Sequence, residues 1–138
     1  MELSQAVRTG YYQALNGNIG ATVYDSFAPP EAVYPYVVVT SQTSVQRWIK
    51  RCKIWDVQIT LDIVTGSSDQ IGMVQAEGIA ESIDNIILPD TYQDINITAN
   101  GYRIGDTRRS GDNQLTARND LYYIYRKLLT YSLLVSEN

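Results

Sequence analysis

Histidine is absent from this chain, and cysteine and phenylalanine each occur once. Without histidine there is no commonest general base, no Ser–His or Cys–His nucleophile pair, and none of the usual ligands of most zinc sites. The lone Cys52 excludes an internal disulfide framework and fits a reducing compartment. No run of about 18 apolar residues exists, so no membrane span is expected. The first residues lack a basic-then-apolar signal pattern. Asn96-Ile97-Thr98 is a formal glycosylation sequon, which means little without a secretion signal. Strong positive charge is missing too: the formal net charge is −4, no global signal for nucleic-acid binding.

What is present describes a folded protein. The 138 residues are 44% hydrophobic and 19% charged. Those values fit one soluble globular domain over 1–138, long enough to bury a core. Eleven tyrosines stand against the one phenylalanine. Tyrosine joins an apolar ring to a polar tip, which suits half-buried sheet faces and subunit contacts. Ordinary β-propensity accounts for many of them.

Residues from about Leu3 to Leu15 read as a helix, with apolar Leu3, Ala6, Val7, Tyr11, Ala14 and Leu15 at helical spacing. Asn16-Gly17 should stop it, because both tolerate left-handed backbone angles. Ala21 to Tyr24 reads as a short strand and Ser26 to Tyr34 as a loop carrying Pro29 and Pro30. Pro35 then opens a β-branched strand from Tyr36 to about Val45; proline lacks an amide hydrogen and is tolerated at a strand start. Gln46 to Lys53 reads as a turn or hairpin end. From Ile54 to about Thr65, Trp55, Val57, Ile59, Leu61 and Ile63 alternate with polar residues, the pattern of a sheet covered on one side.

Gly66-Ser67-Ser68 breaks that strand, and Ser67 with Gln70 forms a capping-box pattern for a helix from Asp69 to Leu88. Its stripe includes Ile71, Val74, Ala76, Ile79, Ala80, Ile83 and Ile87, with Glu77, Glu81 and Asp84 opposite, and Pro89 prevents continuation. Ile95 to about Ile104 reads as a strand, and the polar stretch at about 105–120 as a long loop or mobile hairpin. Leu121 to Val135 is read as a strand on its tyrosines, Thr130 and Leu133-Leu134-Val135, with a helix as the alternative. The order α-β-β-β-α-β-β predicts an α+β fold: a mainly antiparallel sheet with two helices packed on one face.

Candidate chemistry is sparse. Asp56 and Asp62 share a strand face but lie about 20 Å apart. Acid–base pairs need roughly 5–10 Å, so these read as a solvated face. Gly17-Asn18-Ile19-Gly20 lacks the lysine and Ser/Thr of a phosphate loop. The aspartates between Asp106 and Asp120 lack calcium-loop spacing. Cys52 sits between Arg51 and Lys53, which favours the thiolate, but it has no histidine partner. No catalytic residue, metal site or cofactor site is expected.

The most pointed local cluster is Arg47, Trp48, Lys50, Arg51 and Lys53. It could contact nucleic acid through phosphates and stacking, or an acidic patch on a neighbouring subunit with Trp48 as anchor; a solvated hairpin tip is the plain alternative. Arg103, Arg108, Arg109 and Arg118 form a looser basic group in the polar stretch, a candidate for ordering on assembly or an ordinary surface loop.

Taken together, the chain resembles the phage tail-terminator and tail-completion proteins, small neck proteins of long-tailed phages. The match rests on the helix running into Val23-Tyr24-Asp25, on Pro35-Tyr36-Val37-Val38-Val39, on the Trp55–Ile63 strand ending at Thr65-Gly66-Ser67-Ser68, and on the helix from Asp69 to Leu88. It spans most of residues 1–104. The resemblance implies a non-enzymatic subunit of a homo-oligomeric ring, typically a hexamer. That ring caps the tail tube, ends its polymerisation and joins the tail to the head connector. The implied partners are further copies of the chain, the tail tube protein and the head–tail connector protein, with genomic DNA passing through the lumen and no membrane. The implied location is the virion neck, assembled in the host cytoplasm. A head-side connector or stopper protein is the near alternative. A small bacterial α+β ligand-binding domain is the alternative of a different class.

Overall fold

The computed structural model describes residues 2–49, 52–67, 72–88, 101–118 and 123–137. Helix α1 (Leu3–Leu15) buries Leu3, Ala6, Val7, Tyr11 and Leu15 along one side, as the spacing predicts. The stop works through Gly17 at φ +80°, while Asn16 stays extended. Asn18 adds its Nδ2, donating to the Ala14 carbonyl at 2.9 Å.

Strands β1 (Thr22–Asp25), β2 (Tyr36–Ile49), β3 (Cys52–Ser67), β4 (Tyr102–Arg118) and β5 (Tyr123–Glu137) build one sheet in the order β1-β2-β3-β5-β4. Only β1 and β2 run parallel; the other neighbours are antiparallel. Helix α2 (Gly72–Ile87) packs on β3 and β5, and α1 packs on β1, β2 and α2. Both helices lie on one face, an α+β fold in the expected order. Val57, Ile59, Leu61 and Ile63 of β3 and Leu129, Tyr131, Leu133 and Val135 of β5 form the floor under them. Arg8 ties α1 to the β1–β2 edge: it pairs with Asp25 at 2.8 Å and donates to the Val39 carbonyl at 2.8 Å.

Several open alternatives are decided. The polar stretch from 105 follows the hairpin alternative rather than the long loop: β4 reaches Arg118 and pairs antiparallel with β5. Most of its side chains are exposed, so backbone pairing at the sheet edge, not apolar burial, makes it a strand. Of the turn or hairpin end expected at 46–53, the hairpin end is what the structure shows: antiparallel pairing of β2 with β3 continues to Ile49 opposite Cys52. The last segment is strand β5, as expected, and not the helical alternative. Of the strand expected at 95–104, residues 95–100 lie outside the described residues, as does most of the Ser67–Gln70 capping pattern.

The second face of the sheet is not bare throughout. Val38 and Val64 on that face are only 5% exposed. Tyr34, from the loop before β2, lies across Gly66, where an added Cβ would fall 2.5 Å from the ring. Tyr34 stacks on Tyr36 with centroids 5.7 Å apart, and Tyr24 meets Tyr36 edge-on. The two-residue alternation of β3 is unchanged by this cover, which comes from a segment some thirty residues away in sequence, so alternation alone could not reveal it.

Candidate subunit-contact surfaces

Residues paired across a sheet share a face, so register places each basic side chain. Arg47 pairs with Ile54, Arg103 with Ser136 and Arg108 with Ser132. Ile54, Ser136, Ser132 and Gln58 belong to the helix-free face through the β3–β5 register. Arg47, Arg103 and Arg108 therefore come together on one side of the sheet. Arg109 pairs with Tyr131 and Arg118 with Tyr123, which puts both on the helix side.

Arg47 and Arg108 flank a hollow of about 400 Å³ whose lining includes Asp56, Gln58, Ser132 and Leu134. Arg47 is ion-paired with Asp56. Arg103 and Arg108 are exposed, and neither has an acidic partner among the described residues. Arg118 is exposed and its guanidinium stands 5.2 Å from the Tyr123 ring centroid, a cation–π contact. Lys53 is exposed at the start of β3, and Trp48 occupies the opposite position in β2. Lys50 and Arg51 lie outside the described residues.

Arg109 is engaged within the subunit. It bonds Asp84 of α2 at 2.8 Å and Asp112 of β4 at 2.9 Å. Asp112 also receives Lys127, whose side chain is buried, at 2.9 Å. The Tyr131 hydroxyl donates to the other oxygen of Asp84. Burial, followed by the Asp84 contact, pushes the Tyr131 phenol well above its ordinary range. This brace joins α2 to β4 and β5 across the floor of the core.

Asp62 is a correction. It was expected on a solvated face, yet only 6% of its side chain is exposed. Arg126 of β5 holds it, with Nη2 2.6 Å and Nε 3.2 Å from Oδ2. That hydrogen bond leads the effects raising the Arg126 pKa above its usual range. Asp62 and Arg126 share a broad hollow of about 680 Å³ with Phe27, Tyr34 and Tyr36. Burial, then the neighbouring Tyr34 and Asp62, push the Tyr36 phenol upward. Nothing in the local pattern of β3 distinguishes Asp62 from Asp56, and each meets an arginine from a neighbouring strand; burial separates them, 6% side-chain exposure against 38%.

The aspartates placed in these surfaces are each held by a cation, and among the described residues no three acidic or thiol side chains converge on a metal position. The arrangement suits charge-assisted contact with a partner. No protein-family model and no curated protein matches the chain. A solved structure does. A chain in the virion of a native gene transfer agent particle has the same fold, with a TM-score of 0.73 over 97% of each chain. The two are 14% identical, so the likeness is one of fold.

Proposed function

We propose that this protein is a structural virion subunit of a long-tailed phage that forms a ring, a hexamer, capping the tail tube. In this role it ends tube polymerisation and joins the tail to the head connector, without catalysis. The observation that carries the reading is the fold match over 97% of both chains to a chain from a virion particle. The helix-free face supports it, since exposed Arg103 and Arg108 without acidic partners among the described residues suit a docking surface. So does the β2–β3 arm, which carries Arg47 and Lys53 at its described end. On this reading the arm and β4 contact neighbouring subunits, the tube protein and the connector protein, beside the passing genome.

The test is tail completion. Charge reversal of Arg47, Lys50 and Arg51 together is expected to leave overlong or headless tails under electron microscopy. Normal yields of intact virions from that variant would overturn the role of the arm. A chain absent from purified virions would overturn the reading as a whole.

A further inference from the structure

Exposed charges without an ion-pair partner among the described residues have opposite sign on helix α2 and on the helix-free face of the sheet. Helix α2 contains Glu77, Glu81 and Asp84 and no basic residue. Asp84 is taken by Arg109; Glu77 accepts only a long hydrogen bond from Gln114 of β4 at 3.4 Å, and Glu77 and Glu81 are exposed with no ion pair among the described residues. The helix-free face carries Arg103 and Arg108, equally exposed and equally without an acid. These surfaces lie on opposite sides of the same sheet, so one molecule cannot bring them together, but two molecules can.

We infer that the acidic outer side of α2 of one copy seats on the arginine-bearing, helix-free face of the next. The inference rests on the ring reading and names the contact between its subunits. Such a contact is head-to-tail, with different patches meeting, the kind that generates a ring when the rotation closes. It also covers a sheet face with helices, as sheets in layered folds are covered. Each surface also shows an exposed apolar residue: Val74 on α2, beside Glu77, is 70% exposed, and Val45, on the same sheet face three strands away from Arg103 and Arg108, is 64% exposed. Glu77 and Glu81 lie one turn apart, about 6 Å along the helix. Arg103 and Arg108 register on Ser136 and Ser132, about 13 Å apart along β5. Two long arginine side chains leaning toward each other cover the difference.

The experiment uses two variants of the full chain, R103E/R108E and E77R/E81R, followed by sedimentation against concentration and salt. Wild type is expected to self-associate, less so as salt rises. Each variant alone faces like charge with like and associates more than about tenfold more weakly. An equimolar mixture regains wild-type association, because every contact then joins opposite charges, and its rings hold even numbers of subunits. R108Q and E77Q serve as milder versions whose thermal midpoints stay at the wild-type value, since both side chains are exposed. Association of either double variant at wild-type strength, failure of the mixture, or a wild type monomeric at every concentration would overturn the inference. In each of those cases the virion reading stands or falls separately, on the presence of the chain in virions.

Discussion

Arg126 on β5 grips the buried carboxylate of Asp62 on β3, with Nη2 2.6 Å from Oδ2, while its own side chain stays 45% exposed. The two partners are therefore unequal. Removing the arginine strands a carboxylate under tyrosines and β-branched residues; neutralising the aspartate lets the arginine turn into water. Arg126→Ala is expected to cost about 2–3 kcal/mol, below the figure for a fully buried pair because solvent reaches the site. Asp62→Asn should cost about 1 kcal/mol. Urea unfolding of both variants measures the difference, and the reverse order would show that water already solvates Asp62.

Tyr34 and Gly66 form a second unequal pair. The backbone of Gly66 does not need glycine's left-handed freedom, since its φ is not positive. What it needs is the missing Cβ, which would fall 2.5 Å from Cδ2 of Tyr34. Gly66→Ala should destabilise the protein by about 1–3 kcal/mol through overpacking. In a Tyr34→Ala background the same change should cost well under half as much, and the double-mutant cycle reads that coupling directly. Equal costs in both backgrounds would place the clash elsewhere.

The Tyr131 phenol keeps its proton in the folded state beyond the pH at which an unfolded tyrosine, near pH 10, gives it up. A raised folded pKa contributes stability that is complete below the unfolded value and is lost as pH climbs above it. Stability should thus fall from about pH 10 upward. Tyr131→Phe should flatten that fall while lowering stability at neutral pH by about 1–2 kcal/mol, through loss of the hydrogen bond to Asp84. Denaturant titrations at neutral and alkaline pH, with tyrosinate absorbance as the second readout, give both quantities. An identical alkaline slope in the variant would remove Tyr131 as the cause.

Much of the fold is legible in the sequence because the elements that build the core carry one-sided burial. Leu3 to Leu15 repeats at helical spacing, and Trp55 to Ile63 alternates, since each presents one face to the same apolar interior. β4 has no such signal. Its side chains are mostly exposed, and its strand character comes from pairing with β5, the next strand in the chain, which periodicity within β4 itself does not show. The candidate surfaces are legible only as composition: the arginines can be counted, but their faces cannot be read. Arg103 and Arg108 are five apart, so strict alternation would put them on opposite faces. The irregularity between Ile104 and Thr107 returns them to the same one.

By itself, the sequence determined the helices, the core strands and the lack of histidine-based chemistry, since composition and short-range periodicity are local properties of the chain. Tertiary structure alone decided that Asp62 is buried against Arg126, that Arg109 turns inward to Asp84, and that Arg108 beside it turns outward. Each of those outcomes depends on strand register and on bulges. A shift of one residue in pairing exchanges the two faces of a sheet, and that register is set by partners distant in sequence.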